Sequence, residues 1–149
     1  MLDDMRLDPR VRKAMSGMPA GDPAALLPQV ILSSSYEDCL QWVAAMEALH
    51  NEQDSAMLAA MPDFSDVTTE KRTIVSDEGD EIDLFIERPK EAVGVLPCVV
   101  HIHGGGMAFT TAMAAGATRW RKTLVQQGLV VVAVEFRNSG GELGNHPFP

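Results

Sequence analysis

The sequence predicts an α/β fold, and three observations carry that expectation. Two apolar runs without clean alternation, Leu96 to Ile102 and Leu129 to Val134, have the pattern of strands covered on both faces of a parallel sheet. Between them a glycine-rich stretch leads into a helix-patterned segment, Ala114 to Gln127, so that strand, loop, helix and strand make one right-handed βαβ unit. The chain before residue 66 is patterned for helices. It therefore divides into a helical segment, 1–66, and a core, 67–149.

The first helix is expected after Asp8, an N-cap followed by Pro9 at the first helical position, with a basic turn of Arg10, Arg12 and Lys13. Gly17, Gly21, Pro23 and Pro28 interrupt the pattern. A longer helix begins near Ser34, where Ser34-x-x-Glu37 has the spacing of a capping box, and runs to about Met61 before Pro62. Leu40, Val43 and Ala44 recur at three- and four-residue steps along it. Its methionines Met46, Met57 and Met61 read as gap-filling contacts with a neighbour. Val67 to Val75 and Glu81 to Glu87 are strands joined by the turn-rich Ser76–Asp80, with Ile82, Leu84 and Ile86 alternating onto one face. In the later helix Ala117, Trp120 and Leu124 form the apolar stripe, and Gly128 ends it.

Composition narrows the function classes. The 149 residues are 46% hydrophobic and 22% charged, which is enough apolar material for a packed core and argues against disorder. With 21 acidic against 12 basic residues the net charge is -9, the wrong sign for nonspecific nucleic-acid binding. Cys39 and Cys98 form neither a disulfide framework nor a paired zinc knuckle. The acidic N-terminus does not fit a signal peptide, and no uncharged apolar run approaches the ~20 residues of a membrane span. A cytoplasmic protein is expected.

Chemistry concentrates in His103-Gly104-Gly105-Gly106-Met107, where a buried strand gives way to a helix. Consecutive glycines leave the backbone bare, so that their N–H groups can converge on an anion or a developing oxyanion. Other readings are weaker. Cys98-x-x-His101-x-His103 has metal-binding residue types, but strand parity turns Cys98 away from both histidines. A packed Cys98 and an internally hydrogen-bonded His101 are expected instead. Gly104-x-Gly106-x-x-Phe109 lacks the third glycine of a dinucleotide loop, and no P-loop Lys-Ser/Thr follows. Arg119, Arg121 and Lys122 read as a solvated basic face. Asp77–Glu81 lacks the spacing of a calcium loop and reads as a solvated turn.

The strand Val99-Val100-His101-Ile102 leading into His103-Gly104-Gly105-Gly106, then Val131–Arg137, and last His146-Pro147-Phe148-Pro149, resemble the hormone-sensitive-lipase-like carboxylesterases of the α/β-hydrolase fold. The Phe136-Arg137-Asn138 wording is most similar to the bacterial brefeldin-A-esterase-like members. The resemblance implies the N-terminal part of that fold: a helical cap segment, the first four strands and the first core helix. It also implies serine-dependent hydrolysis of a small ester without a cofactor, with Gly105 and Gly106 as oxyanion-hole donors and His103 and Gly104 shaping the loop. Two features depart from the family pattern. Glu135-Phe136-Arg137 stands for Asp-Tyr-Arg, followed by a longer glycine-rich link from Asn138 to Asn145. No G-x-S-x-G elbow occurs, and Ser16, Ser33 to Ser35, Ser76 and Ser139 read as caps and turn formers. The expectation is a chain truncated before the nucleophile elbow, inactive alone and prone to self-association through an unpaired sheet edge. The alternative is a non-catalytic relative that holds a small hydrophobic ligand, or a nonfunctional fragment.

Overall fold

The computed structural model describes residues 4–16 and 29–140. The pattern-interrupting Gly17, Gly21, Pro23 and Pro28 and the His146–Pro149 motif lie outside these residues. Helix α1, Pro9–Met15, starts as its cap predicts: the Asp8 side chain accepts the Arg10 N–H at 2.8 Å, with Pro9 next in line. Helix α2, Tyr36–Ala59, is capped one residue later than the sequence predicts. Ser35 accepts from Asp38 N, and the Asp38 carboxylate accepts from Ser35 N at 3.0 Å, closing the box without Glu37. Ser34 is occupied elsewhere, its hydroxyl accepting from Ile31 N at 3.0 Å. The two serines carry equal cap propensity, so the neighbouring turn decides which one serves.

Strands β1, Val67–Val75, and β2, Glu81–Pro89, pair antiparallel as the expected hairpin. Strand β3, Cys98–Ile102, helix α3, Ala115–Val125, and strand β4, Val130–Glu135, complete the βαβ unit, with β3 and β4 parallel. The sheet order is β1-β2-β4-β3, which makes β3 an edge strand among the described residues.

Register divides the sheet into two unlike faces. Val99 and His101 of β3, Val131 and Ala133 of β4, and Phe85 and Glu87 of β2 share the face against which α3 packs. Val131 and Ala133 are fully buried there. The opposite face carries Val100, Ile102, Val132, Val134, Leu84 and Ile86, and no described element covers it. Val100 is 63% and Ile102 68% exposed. The expectation of strands covered on both faces therefore holds for only one face, and Cys98, on the open side, is exposed rather than packed.

Helix α3 corrects two further readings. Its buried stripe is Ala115, Thr118, Arg121 and Val125, while Trp120 is about half exposed. Arg121 is not part of a solvated basic face. It is wholly buried, with Nε 2.9 Å from Glu87 Oε2, and its Nη1 also donates to the Ala112 carbonyl. Hydropathy alone assigns such a face to solvent, because it cannot register that a buried guanidinium is matched by a carboxylate on the facing strand.

Helix α2 joins this core. Val43, Met46 and Glu47 are its buried side chains, and Met57 Cε lies against Gly116. Ala114, at the N-cap of α3, offers no side chain to the helix end, so Asp54 of α2 supplies the acceptor, taking the Ala115 N–H at 2.8 Å. A carboxylate at a helix N-terminus also meets the positive end of the helix dipole.

Candidate active site

The loop from His103 to Ala112 leaves the C-terminal end of β3, the position where open α/β sheets place their ligands. It turns back on itself through four left-handed residues. Gly105 and Gly106 have φ of 115° and 63°, and Met107 and Thr110 have φ of 58° and 73°. At Gly105 no other residue fits, since a Cβ there would stand 2.0 Å from the Phe109 carbonyl oxygen. Its carbonyl accepts the Ala108 N–H at 3.1 Å, which closes the turn. Among the described residues the N–H groups of Gly105 and Gly106 have no acceptor.

His103 anchors the start of the loop. Its ring is buried and stacked on Phe136, with centroids 4.0 Å apart and planes inclined by 11°. Nδ1 lies 2.8 Å from the Gly104 carbonyl, and because a carbonyl can only accept, Nδ1 carries a proton. Thr110 Oγ1 donates to the same oxygen at 2.6 Å, tying the end of the loop to its beginning. His103 Nε2 is 3.4 Å from Glu135 Oε1, within ion-pair range but without a hydrogen bond. That carboxylate oxygen takes its hydrogen bond from Ala112 N, at 2.9 Å. Burial pushes the Glu135 carboxyl above its ordinary range, against the opposing pull of the Ala112 N–H and of His103. Both ends of Ala112 are thus held, its N–H by Glu135 and its carbonyl by Arg121.

The segment after β4 closes over the loop. Ser139 N donates to the Met107 carbonyl at 2.7 Å and Gly140 N to the Ala108 carbonyl at 3.1 Å. The Asn138 side chain is fully buried, with Nδ2 2.7 Å from the Thr110 carbonyl. From the other side, α2 sets His50 edge-on to Phe109, with ring centroids 5.0 Å apart.

His103, Gly104, Gly105 and Gly106, all singled out by the sequence, come together in this loop. His101 stands apart from its expectation. It is not internally hydrogen-bonded: Nδ1 has no partner among the described residues, and the ring packs on Trp120 with centroids 5.4 Å apart. Burial and the nearby Arg121 guanidinium lower its pKa. Sequence reasoning missed Thr110, Ala112 and Asn138, which act through backbone atoms or through contacts too distant for any local pattern. Glu87 was within reach as the carboxylate that follows the apolar stretch Leu84-Phe85-Ile86. A cavity of about 500 Å³ opens between the hairpin turn and residues 135–137, but its walls include Asp77, Glu78, Asp80 and Asp83 and none of the loop glycines. The loop is the better candidate for chemistry.

Solved structures decide the fold. Brefeldin A esterase, a bacterial homologue of human hormone-sensitive lipase, superposes with a TM-score of 0.62 at 37% identity over 82% of this chain. The chain is the N-terminal part of an α/β-hydrolase fold. Esterase Est22 aligns over 93% of it at 27% identity and a TM-score of 0.68. A bacterial heroin esterase covers 89% at 25% identity and a TM-score of 0.61. This α/β-hydrolase segment spans 40% of the Est22 chain, 34% of brefeldin A esterase and 36% of the heroin esterase. No protein-family model and no curated protein matches the sequence. The structural neighbours are esterases, so hydrolysis of ester bonds is the activity found around this part of the fold.

Proposed function

We propose that these residues form the oxyanion-loop portion of a cytoplasmic serine carboxylesterase acting on small esters. The observation that carries the reading is the pair of N–H groups at Gly105 and Gly106, without an acceptor among the described residues, on a loop held by the Ala108 N–H on the Gly105 carbonyl and the Thr110 hydroxyl on the Gly104 carbonyl. In acyl transfer a serine Oγ attacks the ester carbonyl, and the carbonyl oxygen gains a full charge in the tetrahedral intermediate. Two preorganised backbone donors aimed at that oxygen lower the barrier, each by roughly 3 to 4 kcal/mol. Because the donors are backbone groups fixed by the fold, they need no reorganisation as charge develops. The reading assigns His103 and Gly104 to shaping the loop and residues 1–66 to part of the cap over the acyl pocket.

The nucleophile, its histidine and its acid are assigned to residues outside these 149, since no G-x-S-x-G elbow occurs here. The natural protein is expected to hydrolyse p-nitrophenyl acetate or butyrate and to lose that activity to a serine-directed phosphonate. The 149 residues alone are expected to turn over neither ester. A natural protein without phosphonate-sensitive turnover would remove the esterase reading, and triad-dependent turnover by the 149 residues would remove the assignment of the triad.

A further inference from the structure

We propose that Asn138 is a positioning residue for the Gly105 and Gly106 amides. The proposal rests on the oxyanion reading for its catalytic meaning, and on geometry alone for the positioning itself. Met107 and Thr110 are the two non-glycine residues with positive φ among those described. For a β-branched threonine this conformation is costly, and it persists only where the surroundings over-determine it. The segment leaving β4 supplies that determination at both places. Ser139 N donates to the Met107 carbonyl at 2.7 Å, and Asn138 Nδ2 donates to the Thr110 carbonyl at 2.7 Å. With its carbonyl so held, Thr110 directs Oγ1 onto the Gly104 carbonyl at 2.6 Å, and Gly104 stands immediately before the two donor residues.

The chemistry of the position singles out this one contact. Asn138 is fully buried, yet its Oδ1 has no partner among the described residues. A buried carbonyl without a donor is a cost that a leucine of similar volume would avoid. What leucine cannot supply is the Nδ2 donor. An Asn→Asp change keeps the shape and loses the same donor at a pH where its carboxyl is ionised, so the two substitutions together isolate it.

The experiment uses the natural protein labelled with ¹⁵N-glycine, as wild type and with Asn138→Leu, Asn138→Asp and Val125→Ala. Val125 is fully buried in α3 and serves as a control for general destabilisation. Both Asn138 variants are expected to shift the Gly105 and Gly106 amide resonances and speed their hydrogen exchange, while Val125→Ala leaves them in place. On a p-nitrophenyl ester kcat is expected to fall about tenfold to a hundredfold, with KM within about twofold, because misplaced oxyanion donors act in the transition state. In unsubstituted protein labelled with ¹⁵N-asparagine the Asn138 side-chain amide is expected to exchange slowly. Unmoved glycine amides in a folded Asn138 variant, an equal shift in Val125→Ala, or a fast-exchanging Asn138 side chain would each overturn the proposal. A wild type that hydrolyses no ester would overturn the esterase reading instead, and the amide signals would still decide the role of Asn138.

Discussion

A single missing methyl group decides the most sensitive position of the loop. Gly105 combines a φ of 115° with a backbone oxygen where its Cβ would stand, so Gly105→Ala cannot be absorbed by a side-chain adjustment. The variant is expected to lose at least ~100-fold in kcat, comparable to removing an oxyanion donor, as steady-state kinetics on a p-nitrophenyl ester would report. Two titrating groups nearby give opposite pH signatures. Burial raises the folded pKa of Glu135, so from about pH 4.3 upward to that value the folded chain holds a proton the unfolded chain has lost. Its contribution makes stability fall as pH rises through this interval, and Glu135→Gln should remove that slope from urea midpoints measured across pH. For His101 burial lowers the folded pKa, so stability falls as pH drops below about 6.5, and His101→Gln should flatten that arm. The glycines were legible in the sequence because three in succession have few structural uses. Asn138 and Thr110 were not, since their importance lies in carbonyls that no residue pattern displays.

Among the elements, the strands and the hairpin followed their patterns closely, and α3 did not. Alternation and apolar runs are local properties, and they marked β1 and β2 to within two residues. The face of α3 depends on a partner thirty-four residues away in sequence, because the buried Arg121 charge is matched by Glu87. That dependence gives a sharp expectation. Arg121→Met or Glu87→Leu alone leaves an uncompensated buried charge and should cost about 3–5 kcal/mol in urea unfolding of the natural protein. The double variant Arg121→Met with Glu87→Leu should recover most of that loss, since apolar replacement of both partners is often neutral. Additive losses would mean the two side chains do not act as a pair.

For the molecule as a whole, the decisive feature is the difference between the two sides of the sheet. α3 covers one, while the other presents Val100 and Ile102 beside Val132, Val134, Leu84 and Ile86, with β3 at its edge. An apolar surface continuous with unpaired strand hydrogen-bonding groups is a template for association. The 149 residues alone are expected to sediment as a mixture of assemblies, and Val100→Lys with Ile102→Glu should shift them toward the monomer. Monomeric sedimentation of the unsubstituted chain would count against this. The hydrogen bond from the Ala115 amide to Asp54 is how α2 completes the first turn of α3. Any departure of α2 from the core must release that amide to solvent. Its protection factor is therefore a local gauge of how often the helical layer lifts, readable at a single backbone position without a ligand or a label on the helix itself.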